Sequence, residues 1–194
     1  SPKNTPHKKK KDCHVCYYPD YSQGNQYQGL LYKDLIDGGA IVTGTSDMLK
    51  FVSTNFIDGR ENILHIHWLN QIFGQTRFSR EQIISQSQKF LKGIIHAKNR
   101  GFSIYWTIHN NVSHDFSYVA DELRFSRQLY TLSDKVFVHH PLVPDLLDWL
   151  PDQKKLCLCE HGHYDFAQAI DTTRVGARAS LGFTERDLIV THVG

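Results

Sequence analysis

Histidine is the residue type through which this sequence is best able to do chemistry. The chain has 12 histidines, and most of them follow short apolar segments that are typical of buried strands. An imidazole can donate or accept a hydrogen bond, act as a general base or bind zinc. The histidines at such positions are His65, His67, His109, His114, His139, His140, His161 and His163. Their placement predicts a single polar rim rather than a scatter over the surface.

The densest polar segment runs from Thr107 to Asp115, with the sequence Thr-Ile-His-Asn-Asn-Val-Ser-His-Asp. It follows the segment that is most typical of a strand buried on both faces. Asp115 or His114 could take a proton from a hydroxyl group that lies within hydrogen-bond reach. Alternatively, Asn110 and Asn111 make turn hydrogen bonds and Asp115 caps the next helix. The sequence leaves both interpretations open.

Two histidine pairs, His65-x-His67 and His161-x-His163, have a spacing that places both rings on one face of a strand. Such pairs could bind zinc. We expect them instead to hydrogen-bond a sugar or the backbone. Trp68, beside His67, offers an apolar face that could stack on a pyranose ring, and packing in the core is an equally good interpretation.

The cysteines form two short pairs, Cys13-x-x-Cys16 and Cys157-x-Cys159. Structural zinc pairs usually have two to four residues between their cysteines, and the second pair has a shorter spacing. Both pairs lie in apolar, strand-like segments, where a cysteine acts as a small core residue. We therefore expect no zinc site. So few cysteines are typical of a reducing cytoplasm.

Short apolar strands alternate with helices along the chain, and this order predicts the fold class. Helices are predicted over 27–35, 46–55, 79–99, 118–132 and 143–150. Strands are predicted over 12–18, 40–43, 63–69, 102–108, 136–139, 155–159 and 188–193. The alternation predicts a three-layer, Rossmann-like α/β domain with a parallel sheet of about six or seven strands. The strands over 63–69, 102–108 and 136–139 should be interior, and ligands should bind beyond the carboxyl ends of the strands.

The sequence predicts three regions: a basic tail over 1–11, a Rossmann-like domain over 12–166, and a linker with the first strand of a further domain over 167–194. The tail carries the block Lys8–Lys11 in a chain whose net charge is only +2. That block could touch acidic lipid headgroups or nucleic acid, or it could simply be a solvated tail. No apolar run approaches the roughly 18 residues of a membrane span, so we expect a cytoplasmic protein.

Three common nucleotide and hydrolase motifs are missing from the sequence. No strand is followed by G-x-G-x-x-G, and the chain has no G-x-x-x-x-G-K-[ST] and no G-x-S-x-G. Dinucleotide binding, P-loop phosphate transfer and α/β-hydrolase chemistry therefore lack their usual fingerprints.

Several motifs resemble, in order, those of bacterial GT-B fold glycosyltransferases. Segments 18–19 and 24–28 resemble P-Y-x(n)-N-P-Y-Q, and segment 65–68 resembles H-x-H-W. Segment 107–115 resembles T-[VI]-H-N-x-x-P-H-E, 133–136 resembles A-D-x-V, 161–164 resembles H-G-x-Y, and 181–183 resembles L-G-[IF]. The resemblance covers nearly the whole chain. Gln26 and Ser113 depart from it where the family often has Pro, and Asp115 replaces Glu, which shortens the reach of that carboxylate.

The resemblance implies the N-terminal, acceptor-side half of a two-domain enzyme. Such an enzyme transfers a sugar from a nucleotide-sugar to a glycan or lipid-linked acceptor in the synthesis of surface polysaccharide. The C-terminal domain would bind the nucleotide-sugar, so this chain alone should be inactive. No metal or other cofactor is implied, because a helix dipole and basic side chains of the second domain stabilise the leaving diphosphate. A lipid-linked acceptor would fit peripheral contact of Lys8–Lys11 with the inner face of the cell membrane, and no nucleic-acid partner is implied.

The candidate site follows from the rim and the resemblance together. The candidate catalytic residues are Asp115 and His114. The candidate acceptor-binding residues are Gly24, Asn25, Tyr27, His67, Trp68, His109, Asn110, His161, His163 and Tyr164. Two other functions stay open: a non-catalytic glycan-binding or scaffold module, and a Rossmann enzyme that modifies sugar nucleotides. The missing glycine fingerprint disfavours the second of these.

Overall fold

The chain divides into two compact units, Ser1–Gly162 and His163–Gly194. The structure, a computed structural model, describes residues 12–73, 78–113, 118–162 and 173–190. The predicted domain boundary near residue 166 lies outside these ranges and stays a prediction.

The first unit is built on one open sheet of six parallel strands. The strands are β1 (Cys13–Tyr18), β2 (Ile41–Gly44), β3 (Glu61–Ile66), β4 (Ser103–Thr107), β5 (Lys135–Val138) and β6 (Leu156–Leu158). Their order across the sheet is β2-β1-β3-β4-β5-β6. The predicted α/β class and parallel sheet are confirmed. The strands that the sequence places in the interior, β3, β4 and β5, do have a neighbour on each side.

The helices alternate with the strands as expected. In the first unit they are α1 (Gln26–Asp37), α2 (Met48–Thr54), α3 (Asn70–Phe73), α4 (Arg80–Asn99), α5 (Val119–Leu132) and α6 (Val143–Leu146). Side-chain caps fix three helix starts, at Asn25, Asp47 and Ser79, and Ser79 forms a capping box with Gln82. The short helix α3 was not predicted from the sequence. No helix in the described ranges is both long enough and apolar enough to cross a membrane.

The two faces of the sheet have different character because side chains alternate along each strand. Leu64 and Ile66 of β3 point into the large core that α2, α4 and α5 close on one face. Ile63 packs on the other face, against Tyr32 of α1 in a much smaller cluster. The face toward α1 is therefore the one on which strand residues can be polar.

The second unit contains helix α7 (Arg174–Ser180), capped by Thr173. The guanidinium of Arg178 donates to the backbone carbonyls of Thr184 and Asp187, which holds the segment after the helix. The predicted strand over 188–193 has no strand conformation at 188–190, where Leu188 and Val190 are exposed. Residues 191–193 lie outside the described ranges.

Candidate functional site

The candidate site lies where the direction of strand order reverses. From β1 the chain adds β2 on one side of the sheet and β3 on the other, so the switch point lies between β1 and β3. Open parallel sheets bind their ligands in the crevice beyond the carboxyl ends at such a point. His67 and Trp68 directly follow β3, and Tyr27 lies in the first turn of α1, which follows β1. The topology thus brings these three side chains to the expected crevice.

Tyr27 is the centre of a group of aromatic and imidazole rings that we call the histidine cluster. Its members are Tyr27, Tyr32, His65, His67, Trp68, His109, His139 and His161. Around the buried Tyr27, the ring centroid of His109 lies at 5.0 Å, His161 at 5.3 Å and His139 at 5.7 Å. Three of the predicted acceptor-binding histidines, His67, His109 and His161, therefore converge with Tyr27 in one place.

His139 links the loop after β6 to Tyr27. Its Nδ1 lies 2.7 Å from the carbonyl oxygen of Cys159, and a carbonyl can only accept, so this nitrogen carries a proton. Its Nε2 lies 3.0 Å from the Tyr27 hydroxyl. The loop after β6 thus orients the ring of His139 against Tyr27.

His65 and His67, which we call the inner histidines, share a second tyrosine, Tyr32, as a hydrogen-bond partner. The hydroxyl oxygen of Tyr32 lies 2.7 Å from Nδ1 of His65 and 2.8 Å from Nε2 of His67. His65 also bonds Thr107 Oγ1 through Nε2 at 2.8 Å, and His67 bonds His109 through Nδ1 at 3.2 Å. The His65-x-His67 spacing does put both rings on one face of the strand, as the sequence predicts.

Burial keeps these imidazoles uncharged. It lowers the pKa of His65 to about 3, with a smaller contribution from His139. Burial also lowers the pKa of His109 to about 3, helped by neighbouring histidines, and holds the pKa of His67 well below its usual value. Each ring is therefore a neutral group with one donor and one acceptor at physiological pH. Such rings suit hydroxyl groups, which also donate and accept.

Trp68 packs on His109 at the mouth of the cluster. Their rings are stacked, with centroids 4.2 Å apart and planes 16° from parallel. The two residues line a small cavity of about 30 Å³ together with Asn110. Trp68 is half-buried. One face of its indole is already used to orient His109.

The loop after β4 is tied down by a buried carboxylate. Glu122 of α5 accepts hydrogen bonds from the backbone N–H of Ser113 at 2.9 Å and from its hydroxyl at 2.8 Å. Burial raises the pKa of this carboxyl. Asn111 accepts from Trp149 Nε1 at 2.7 Å, so its side chain supports the loop by a tertiary contact. The loop therefore reaches residue 113 in a fixed position.

Two of the predicted acceptor-binding residues, Asn25 and Gly24, make local structural hydrogen bonds. The Asn25 side chain accepts from the Tyr27 backbone N–H as the cap of α1, and the Gly24 N–H donates to the Tyr21 carbonyl. The predicted residues His114, Asp115, His163 and Tyr164 lie outside the described ranges. The N-cap of α5 is Tyr118, so the alternative in which Asp115 holds that position is wrong.

The cysteine pairs are far apart in the fold. Cys13 and Cys16 lie on β1, and Cys157 lies on β6, with three strands between them. At about 4.8 Å per strand, β1 and β6 are roughly 19 Å apart, so the four thiols cannot meet around one ion. In the described ranges, no three His, Cys, Asp or Glu side chains are arranged so that they could hold a metal ion.

A second, larger cavity opens beside the cluster, between α1 and the sheet. Its volume is about 180 Å³. The walls are mostly apolar, with Leu31, Leu35 and Phe137 among them, and His65 and Thr107 lie at its polar end. The inner histidines thus lie between this cavity and the crevice at the strand ends.

Four members of this site were not among the residues that the sequence singles out as binding: Tyr32, His65, Thr107 and His139. His65 and Thr107 lie on strands, two residues before His67 and His109, and this alternation puts their side chains on the α1 face. That signal is readable from the sequence. The role of Tyr32 is not, because it depends on how α1 lies across the sheet.

Comparison with protein families, curated proteins and solved structures finds no match for the chain. The similarity to GT-B glycosyltransferases therefore rests on the sequence motifs alone.

Proposed function

We propose that the chain is the acceptor-side domain of a GT-B type glycosyltransferase, and that the histidine cluster binds hydroxyl groups of a glycan or lipid-linked acceptor. The observation that carries the proposal is the group of neutral imidazoles at the switch point, flanked by Trp68 and Tyr27. Neutral donors and acceptors beside aromatic rings match the alternating hydroxyl and C–H surfaces of a sugar.

The rest of the proposal follows from the sequence resemblance. A second domain would bind the nucleotide-sugar, and transfer would take place between the two domains in the synthesis of surface polysaccharide. The enzyme would work in the cytoplasm, with Lys8–Lys11 in contact with acidic lipids at the inner face of the membrane. These lysines lie outside the described ranges.

Saccharide binding measured by NMR tests the first part of this proposal. Monosaccharides and short glycans are titrated into the ¹⁵N-labelled chain, and the indole N–H signal of Trp68 and the ring signals of His109 are followed. We expect both to shift together and to saturate. If no saccharide moves them at about 10 mM, a concentration well above typical KM values, the cluster is not an acceptor site.

A non-catalytic glycan-binding module is the second candidate, and one observation favours it. A ring whose pKa is lowered to about 3, as for His109, is a weak base, which suits binding better than proton abstraction. Incubation of the longest natural form of the protein with nucleotide-sugars and a bound glycan separates the two functions. Transfer or slow donor hydrolysis supports the enzyme, and binding without either supports the module.

A further inference from the structure

Four hydrogen bonds join Thr107 and four members of the histidine cluster into one unbroken series. Thr107 Oγ1 bonds His65 Nε2 at 2.8 Å, and His65 Nδ1 bonds the Tyr32 hydroxyl at 2.7 Å. The same hydroxyl bonds His67 Nε2 at 2.8 Å, and His67 Nδ1 bonds His109 Nε2 at 3.2 Å. This series of hydrogen bonds thus runs from the polar end of the 180 Å³ cavity to the crevice at the strand ends.

When all three rings are neutral, this series of hydrogen bonds has only two arrangements in which all four bonds form and the Tyr32 hydroxyl donates one of them. Each neutral imidazole has one donor and one acceptor nitrogen, and the tyrosine hydroxyl donates one proton. If Thr107 donates to His65, then His65, His67 and His109 must all carry their proton on Nδ1. If His109 donates to His67, all three must carry it on Nε2, and Thr107 accepts. A mixture in which His65 and His67 both donate to the Tyr32 oxygen leaves the buried Tyr32 hydroxyl proton without an acceptor, and every other mixture places two donors or two acceptors against each other.

We propose that Thr107, His65, Tyr32 and His67 are positioning residues that together determine which nitrogen of His109 carries the proton. We call these four side chains and His109 the relay, because the position of the proton on one ring determines its position on the next. His109 Nδ1 makes no hydrogen bond with another described residue, so it is the end of the relay that can meet a ligand. One arrangement makes this nitrogen a donor and the other makes it an acceptor.

The ligand class that fits such an end is a hydroxyl group, because a hydroxyl can donate to one arrangement and accept from the other. A carboxylate or phosphate only accepts and would be tolerated by one arrangement alone. This role toward a ligand rests on the proposed function. The coupling between the rings does not, and it can be measured without any ligand.

The ¹⁵N chemical shifts of the imidazole nitrogens report the tautomer of each ring. In the unmodified chain, we expect His65, His67 and His109 to show the same protonated nitrogen, or the same ratio if both arrangements are populated. Different tautomers among the three rings would overturn the proposal, whatever the variants below do.

Thr107→Val tests the coupling at a distance. It removes the partner of His65 Nε2, and a buried N–H without an acceptor is rarer than an acceptor without a donor. His65 should therefore carry its proton on Nδ1 in this variant, and His109 should do the same, by a roughly tenfold change in tautomer ratio wherever the unmodified protein populates the Nε2 arrangement. Thr107→Ser keeps the hydroxyl and should change neither ring.

Tyr32→Phe is the control that cuts the relay in the middle. In the double variant with Thr107→Val, His65 should still respond and His109 should not. A response of His109 that survives the loss of the Tyr32 hydroxyl, or a His65 response in Thr107→Val that never reaches His109, would show that the relay does not exist. A coupled response without any saccharide binding would instead refute the proposed function and leave the relay intact.

Discussion

The indole of Trp68 lies flat on the imidazole of His109, with ring centroids 4.2 Å apart and planes 16° from parallel. His109 is the last ring of the relay, and its only hydrogen bond within the described ranges joins its Nε2 to His67. A single hydrogen bond does not fix the plane of the ring. The stack with Trp68 covers one face of the imidazole, and the Tyr27 ring centroid lies 5.0 Å away, so packing restricts its rotation.

Trp68→Ala should therefore weaken saccharide binding by roughly tenfold, since an aromatic pair contributes about 0.5–1.5 kcal/mol beyond the area it buries. Trp68→Phe keeps a flat apolar face on His109 and should lose much less. Isothermal titration of both variants with the best saccharide from the NMR screen measures the difference. Equal losses would mean that the aromatic face has no orienting role.

The stability of the protein should fall as the pH falls below about 6.5. Burial lowers the pKa of His65 and His109 to about 3, so the unfolded chain takes up protons first. The part of the unfolding free energy that depends on these rings being neutral is fully present above their unfolded pKa and is lost between about pH 6.5 and 3. Each such ring should contribute a slope of about 1.4 kcal/mol per pH unit.

His65→Gln isolates one of these slopes. Urea unfolding between pH 6.5 and 5 should give a dependence on pH that is shallower by about 1 kcal/mol per unit than in the unmodified protein, because the unfolded ring is only half protonated at pH 6.5. This window lies above the titration of Asp121, whose pKa is lowered chiefly by the hydrogen bond from Arg80. A slope that the variant leaves unchanged would show that His65 is not held neutral by the fold.

Glu122 offers a test of how the loop after β4 is held. Glu122→Ala removes the acceptor for the N–H and hydroxyl of Ser113, and the loss should be about 2–3 kcal/mol of unfolding free energy. Glu122→Gln keeps Oε1, which accepts from both the N–H and the hydroxyl of Ser113, loses only the longer bond from that N–H to Oε2 at 3.1 Å, and removes a buried carboxyl whose pKa is raised by burial. It should therefore change stability by less than about 1 kcal/mol at pH 7. Denaturant titrations of the two variants give this comparison, and a Gln variant as unstable as the Ala variant would contradict it.

The sequence predicts the frame of the site well, because the frame depends on local signals. The capping box at Ser79 and the Asp47 cap locate α4 and α2, and alternation over 63–69 assigns His65 and His67 to one face. The relation of Trp68 to His109 is tertiary, since it joins the ends of two strands. No spacing within the chain indicates a ring stack of that kind.

Helix boundaries show the same division between local and tertiary effects. The helix predicted over 143–150 ends at Leu146. Leu147 leaves helical geometry there, and both Leu147 and Trp149 reach the large core, where burial outweighs one more helical turn. The role of Asn111 as the acceptor for Trp149 likewise depends on a residue 38 positions away, which the sequence does not reveal.

The last prediction concerns the base in the proposed transfer reaction. If the enzyme inverts the anomeric centre, a base must take the proton of the acceptor hydroxyl as its oxygen attacks. Asp115, outside the described ranges, is our first candidate and His114 our second, because both follow the loop that Glu122 fixes at Ser113. A general base contributes about 100- to 10,000-fold in rate, so Asp115→Asn should lower kcat by that factor with little change in KM.

His109→Gln provides the matched comparison when kcat and the KM for the acceptor are measured for both variants of the transfer-competent enzyme. Glutamine can still donate and accept, and the ring it replaces is already a weak base with its pKa lowered to about 3. Its main effect should be a higher KM for the acceptor, with kcat within a few-fold of the unmodified enzyme. If configuration is retained instead, no such base is needed and Asp115→Asn should cost only a few-fold in kcat. An inverted product formed at near-normal kcat by Asp115→Asn, together with a large loss of kcat in His109→Gln, would move the role of the base from Asp115 to His109.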